Sequence, residues 1–286
     1  VALTVERLDA TLGAVVTGVR VADLDEATWL ELLDAFHEHA VLVLPDQHLT
    51  SEEQRAFARR FGPLEEIAGG DGLTPISNTT RDGRVRDEGD PVLAILRGNE
   101  GWHTDSSYMA VSATASILSA HVVTPDDGET EWADMRAAHD ALDPALRERV
   151  SRLAAHHSIA WSQRRMGLET PPPGGFYGFD DGPEPLRPLV KVHPVTGRAA
   201  LFIGRHAHAI PGLSDEESEA LLDHLLEISC RPPFTHAHRW TPGDVAVWDN
   251  RCVLHRARPY DRRLPRVMKH SRVSGDPATE SALPVS

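Results

Sequence analysis

The chain has 286 residues, 41% hydrophobic and 25% charged, with a net charge of −14; that length buries a large core in one big domain or two small ones. The acidic balance argues against non-specific binding to nucleic acid or an anionic membrane, and two cysteines, Cys230 and Cys252, make no disulfide framework. No apolar run approaches membrane-spanning length and no charged leader precedes an apolar block at Val1–Val5, so a cytoplasmic protein is expected.

Residues 1–21 alternate weakly around Gly13 and Gly18 and predict a strand, a turn and a strand. Leu30, Leu33 and Phe36 recur near the helical period in a helix over 25–39, followed by a buried strand at Ala40–Leu44. Thr50-Ser51-Glu52-Glu53 is a helix start, a hydroxyl cap followed by carboxylates, and Phe61-Gly62-Pro63 ends that helix. The stretch 67–99 is rich in Gly, Asp and Arg; it predicts a strand at 75–78 and a loop at 81–91, and the region near 68–98 has the character of a substrate lid.

Further on, a strand is predicted over 113–123, a turn and strand over 126–132, and helices over 135–142 and 144–155, the second with Pro144 at its first position. Residues 156–165 suggest a strand and loop, and the Pro- and Gly-rich 170–188 a loop or flap, with a second lid near 164–188. Strands follow at 189–192 and 199–203. Ser214 caps a strong helix to Cys230, and strands return at 235–240, 245–249 and 265–273, before a polar, loose tail after Gly275. No linker or repeat interrupts the chain. The expected fold is therefore a single domain over 1–286, mainly β with helices on its outside.

The chemistry centres on Gly101-Trp102-His103-Thr104-Asp105-Ser106-Ser107-Tyr108. On an extended strand or its end, residues i and i+2 face the same way, so His103 and Asp105 converge. A lone His-x-Asp is a weak signal. Together with His255, at the end of an apolar strand, it supplies the two histidines and one carboxylate that hold iron(II) by one face. Arg266 follows eleven positions later, with His270 and Arg272 on the even-numbered side of the same predicted strand. An arginine facing such a pocket can clamp a carboxylate through two charge-assisted bonds, as a 2-oxo acid cosubstrate requires.

At these residues the chain resembles the iron(II)/2-oxoglutarate dioxygenases of the taurine dioxygenase and 2,4-dichlorophenoxyacetate dioxygenase family. The motifs carrying the resemblance run from Leu12-Gly13-Ala14 through Phe61-Gly62-Pro63-Leu64, Trp102-His103-Thr104-Asp105 and Gly128-Glu129-Thr130-Glu131-Trp132. They continue through His193-Pro194-Val195-Thr196-Gly197, Trp248-Asp249-Asn250-Arg251 with His255, and Arg266-Val267-Met268. The resemblance implies a distorted double-stranded β-helix, a jelly-roll core. It implies iron(II) on His103, Asp105 and His255, 2-oxoglutarate as cosubstrate with its far carboxylate on Arg266 and Thr130, and oxygen as oxidant. It places Asn99 and the Ser106 backbone at the prime substrate.

Members that bind sulfonates carry a second arginine four positions after the first; here that position is His270, with Arg272 beyond it. The stretches 203–212 and 265–272 look most like the branch that cleaves phenoxypropionate and phenoxyacetate herbicides. Arg205, His208, His270 and Arg272 are the candidates to hold a substrate carboxylate, and His206 is read as part of a solvated loop. Asp105 occupies the position that halogenating members leave small, so oxygenation is favoured.

The expected enzyme hydroxylates a small carboxylate, aryloxyalkanoate-like, with ether cleavage after hydroxylation. Its partners are small molecules, with no nucleic acid or membrane, and a homo-oligomer is compatible. The alternatives are a sulfonate, sulfate or biosynthetic amino-acid-like substrate, a zinc hydrolase on the same ligands, and a non-catalytic small-acid sensor. Cys252 reads as a small buried hydrophobe. His236 and His238 lack a third ligand for zinc, and the Ser106-Ser107 pair lacks a nucleophile elbow.

Overall fold

The computed structural model describes residues 3–66, 70–169 and 182–284. The chain enters through the antiparallel pair β1 (Thr4–Arg7) and β2 (Ala14–Thr17), then α1 (Glu26–His39) and β3 (Val41–Leu44). Asp25 starts α1 by accepting the Thr28 amide at 2.8 Å, and Ala40 ends it in a left-handed conformation at φ 62°. α2 (Ser51–Arg59) begins on the capping box formed by Thr50 and Glu53. β4 (Thr74–Ser77), α3 (Pro91–Gly98), β5 (Ala113–Val122), β6 (Thr130–Asp134), α4 (Met135–Asp140) and α5 (Pro144–Val150) follow. Then come β7 (Ala154–His157), α6 (Ile159–Arg165), β8 (Leu186–Pro188), β9 (Val190–Val192), β10 (Ala199–Leu201) and β11 (Ala207–His208). α7 (Asp215–Ser229) opens on a second capping box, Ser214 with Glu217. β12 (Thr235–His238), β13 (Val245–Asp249), β14 (Val253–Ala257), β15 (Val267–Ser274) and α8 (Pro277–Glu280) complete the chain.

A seven-stranded sheet runs β1-β2-β3-β13-β5-β15-β4, and a three-stranded sheet runs β12-β6-β14. The strand period of two divides the core. Leu42 and Leu44, Ala115 and Ile117, and Val245 and Val247 point to one face of the large sheet, where Trp29, Leu32 and Phe36 of α1 and Phe57 of α2 cover them. Their neighbours Val41, Val43, Leu118, Ala120, Ala246 and Trp248 point to the other face, toward Trp132 and Val253 of the small sheet. β3 is buried at all four positions because helices cover one face and the second sheet the other. The sheets at the centre and the helices flanking them agree with the sequence reading, although helix and strand are about equally represented rather than mainly β.

Three stretches depart from it. Within the region near 68–98 the expected strand is present as β4, but the stretch expected as a loop ends in the helix α3, capped by Asp90 with Pro91 at its start; eight residues are too few to show a clear period. The helix expected over 144–155 ends at Val150, residues 154–157 join a sheet, and the loop expected to 165 is the helix α6, capped by Ser158. The tail expected to be loose is tied down. Glu280 is buried at 1% exposure, Arg187 Nη1 donates to its carbonyl at 2.7 Å, and Lys191 pairs with its carboxylate. The centre of the second expected lid, 170–181, lies outside the described residues. Among the described residues, no helix is long and apolar enough to cross a membrane.

Candidate active site

His103 and His255, 152 positions apart in sequence, face each other across a single antiparallel bridge. His103 N donates to His255 O at 3.0 Å and His255 N to His103 O at 2.7 Å. A pair that exchanges both bonds presents its side chains on the same side, and the two imidazole centroids lie 4.1 Å apart. Behind the bridge, Gly204 adopts φ +131°, and a Cβ there would meet Trp102 O at 3.2 Å and His103 Cα at 3.3 Å. Only glycine lets the 203–205 segment pass this close to the motif.

Asp105 completes the cluster: one ligand atom from each of His103, Asp105 and His255 lies within 4.8 Å of the others. Asp105 Oδ2 accepts Ser116 Oγ at 2.6 Å, and Asn250 Nδ2 donates to that same Ser116 oxygen at 2.9 Å. Asn250 Oδ1 accepts the Asp105 amide at 3.2 Å and the Trp248 indole at 3.2 Å. The carboxylate is thus aimed by strands β5 and β13.

Both rings are set up as neutral ligands. His103 Nδ1 donates to Gly101 O at 2.7 Å, which leaves Nε2 with its lone pair. His255 Nδ1 is buried with no hydrogen-bond partner, and its Nε2 lies 3.7 Å from Asp105 Oδ2. Burial, with His255 and Arg205 nearby, pushes His103 well below the usual histidine range, and burial brings His255 down to about 4. Burial alone would raise the Asp105 carboxyl, but His270 and His255 beside it hold it well below the usual carboxylate range. Two neutral imidazoles and one carboxylate, converging in one buried cluster, fit a divalent metal held from one side.

The cavity beside the cluster lies between the two sheets. Ile76, Leu118, Trp248, His270 and Arg272 line it from the large sheet, and Thr130, His255 and Ala257 from the small one. Arg266, Asn99, Arg205, Tyr108 and His206 also line it. Arg266 is 4% exposed and donates Nη2 to Gly128 O at 3.0 Å; among the described residues no carboxylate forms an ion pair with it. Burial pulls its pKa down, opposed by Tyr260 and Asp127. A buried cation facing a cavity without a counterion is suited to an anionic ligand. Thr130 Oγ1 accepts the Trp240 indole at 3.0 Å, so its own hydrogen remains free to donate.

The remaining predicted residues divide. Asn99 and His270 line the cavity; His270 stacks on Trp248 at 5.7 Å and approaches Asp105 Oδ2 to 3.4 Å. Arg205 lines it too, with Nη1 at 2.9 Å from Gln163 Oε1. Arg272 reaches the wall but is occupied: Nη1 donates to Ser106 Oγ at 3.0 Å and Tyr108 Oη at 3.2 Å, and Nε lies 3.4 Å from Glu65 Oε2. Ser106 does not line the cavity; its hydroxyl donates to Glu65 at 2.7 Å. His208 is outside as well, stacked on Trp161 at 4.9 Å with Nε2 at 2.9 Å from Glu184, because β11 pairs with β7 away from the metal cluster. His206, expected in a solvated loop, is instead buried; it lines the cavity and meets His103 edge-on at 6.0 Å.

Glu65 was not singled out. It directly follows the Phe61-Gly62-Pro63-Leu64 motif, but no local pattern marks an acid as buried. A second group, His193, Asp249 and Cys252, has metal-ligand character by proximity. Its nitrogens are used: His193 Nε2 donates to Asp249 at 2.9 Å, and Nδ1 accepts the Val195 and Thr196 amides. Arg251 grips the same carboxylate with two donors. This is a structural clamp, and Cys252 belongs to it rather than to the His255 side. His238 bonds Asp244 at 3.0 Å and forms no metal cluster with His236 among the described residues.

Residues 4–272 match the family described as taurine catabolism dioxygenase TauD, TfdA family. A (S)-phenoxypropionate/alpha-ketoglutarate-dioxygenase of Sphingobium herbicidovorans is 55% identical over 99% of this chain and 98% of its own length. An alpha-ketoglutarate-dependent 2,4-dichlorophenoxyacetate dioxygenase of Cupriavidus pinatubonensis is 37% identical over 91% of this chain and 94% of its own. The crystal structure of AAD-2 in complex with Mn(II) and N-oxalylglycine aligns over 100% of both chains, with a TM-score of 0.89 and 35% identity.

Proposed function

We propose, from the premise that this chain belongs to the taurine catabolism dioxygenase TauD, TfdA family, that its substrate is a small aryloxyalkanoate such as (S)-phenoxypropionate, cleaved at the ether after hydroxylation. The chain is a 2-oxoglutarate-dependent non-haem iron dioxygenase. The two facing sheets are read as the distorted double-stranded β-helix, which the likeness to AAD-2 supports. The observation that carries the reading is one cavity holding both the His103–Asp105–His255 cluster and the uncompensated Arg266.

In this reading His103, Asp105 and His255 hold iron(II), and Arg266 with Thr130 holds the far carboxylate of 2-oxoglutarate. Iron with 2-oxoglutarate and oxygen supplies the oxidant, and 2-oxoglutarate leaves as succinate and carbon dioxide. Arg205 and Asn99, on the wall beside His103, orient the substrate carboxylate, with His270 next to Asp105. Ile76, Leu118 and Trp248 give the aryl ring an apolar wall and keep water away. Hydroxylation at the carbon bearing the ether oxygen gives a hemiketal that collapses to a phenol and a 2-oxo acid.

The test is oxygen uptake by iron-loaded protein with 2-oxoglutarate and a panel of phenoxyacetates, both phenoxypropionate enantiomers, taurine and alkyl sulfates. Uptake stimulated by an aryloxy acid, with phenol release, supports the assignment. Stimulation by taurine or an alkyl sulfate alone, or by no acid, overturns it.

A further inference from the structure

We infer that Asn78 is the positioning residue that fixes Arg266, and through it the affinity for the cosubstrate; this rests on the assignment of Arg266 to the far carboxylate of 2-oxoglutarate. β4 is the last strand of the large sheet, and its ladder with β15 reaches Ser77 opposite Val267. The next pair in register is Asn78 opposite Arg266, where β15 has not yet begun. A regular ladder would not hold Arg266 here, and the pairing of β15 with β5 also slips between Val267 and Met268.

Asn78 takes over. Its backbone amide donates to Arg266 O at 3.3 Å. The return bond from Arg266 N goes to the side chain, Asn78 Oδ1, at 2.8 Å, because the Asn78 carbonyl already accepts Arg86 N at 2.9 Å. The other end of the amide, Nδ2, donates to Arg262 O at 3.0 Å and Leu264 O at 2.8 Å. Asn78 is fully buried, at 0% exposure, so water cannot replace these bonds. One carboxamide therefore binds three backbone groups in the five residues that end at Arg266.

The guanidinium is fixed separately, by Gly128 O and by Tyr260, whose ring centre lies 5.3 Å from Arg266 Cζ. Gly128 has φ +77°, and a Cβ there would come within 3.1 Å of Arg266 Nε. Asn78 thus sets the root of the side chain, and Gly128 with Tyr260 sets its tip. A shift of the root swings the guanidinium away from an anion lying across the cavity.

The test measures binding to Mn(II)-loaded protein by calorimetry, using 2-oxoglutarate and 2-oxopentanoate, which lacks the far carboxylate. Arg266→Met is the benchmark. In Asn78→Ala, 2-oxoglutarate should bind roughly tenfold more weakly, the cost typical of losing a supporting partner, and 2-oxopentanoate should bind as in the unaltered protein. Equal weakening of both acids, or no weakening of 2-oxoglutarate while Arg266→Met loses it, overturns the inference. Failure of the unaltered protein to bind 2-oxoglutarate would instead overturn the enzyme assignment. Should Asn78→Ala not fold, Asn78→Ser carries the same test, since a neutral hydroxyl on a shorter side chain does not span Arg266 N and the two carbonyls of Arg262 and Leu264.

Discussion

Ser116 Oγ lies 2.6 Å from Asp105 Oδ2 and donates to it. The hydroxyl comes from the middle of β5, whose burial is continuous from Ala115 to Ala120. Asn250 Nδ2 approaches the same oxygen at 2.9 Å, so the serine relays the position of the β13 end to the carboxylate. Ser116→Ala removes this bond and leaves Asn250 with an unpaired buried donor. Metal affinity should fall roughly tenfold with the fold intact, as read by Mn(II) titration and circular dichroism. An unchanged affinity would show that Asp105 is aimed by other means.

His255→Ala should abolish both metal binding and turnover. The ring makes no hydrogen bond through Nδ1, and its Nε2 lies 3.7 Å from Asp105 Oδ2, so its removal costs the apo protein packing and that one contact. Metal analysis after desalting reads the loss directly. Full occupancy in the variant would remove His255 from the ligand set.

Arg266→Ala should raise the 2-oxoglutarate requirement by about ten- to a hundredfold, the cost of one charge-assisted hydrogen-bond set. The requirement for the aryloxy acid should change far less. Initial rates against each substrate separate the two. An unchanged cosubstrate requirement would make Arg272 the better anion holder, despite its bonds to Glu65, Ser106 and Tyr108.

The metal-free protein should lose stability as the pH falls below the usual histidine value. His157 is fully buried, with neither ring nitrogen hydrogen-bonded, and burial with Arg187 and His208 nearby pushes its pKa well below 6.5. Below 6.5 the unfolded chain takes up a proton that the folded one refuses, so stability is complete above that pH and declines beneath it. Each such group contributes a slope of about 1.4 kcal/mol per pH unit. His157→Phe, beside Phe202, should lower the difference in unfolding free energy between pH 7.5 and pH 5. An identical difference would mean that His157 is protonated in the fold.

Glu280→Ala should destabilise the protein by roughly 3 kcal/mol, the range for breaking a buried ion pair. The carboxylate pairs with Lys191 and accepts Ser112 Oγ at 3.0 Å. Denaturant unfolding measures the change. A loss within error would mean that water reaches Lys191 in the variant.

Much of this molecule was legible in the sequence. The capping boxes at Thr50 and Ser214 are local chemistry, complete within four residues, and both helices start where those residues place them. The alternation of inward and outward apolar residues made the strands visible for the same reason. Short elements were missed: α3 and α6 have too few turns to display a period, and the tail looked loose because its composition is polar.

The sequence by itself determined the chemistry on offer, because ligand types, spacing and motif order are properties of the chain. It could supply His103, Asp105, His255 and Arg266 as candidates. Tertiary structure alone decided which neighbours these residues meet. Arg272 and Arg266 are both arginines near the same strand, yet Glu65 lies beside the first, whereas no described carboxylate pairs with the second. His206 and His208 are two apart on one segment, and only His206 reaches the cavity. The physical reason is that burial and pairing depend on which distant strands lie alongside. Glu65 beside Arg272 and Asn78 beside Arg266 are separated by about two hundred residues of sequence, a distance over which no local pattern carries information.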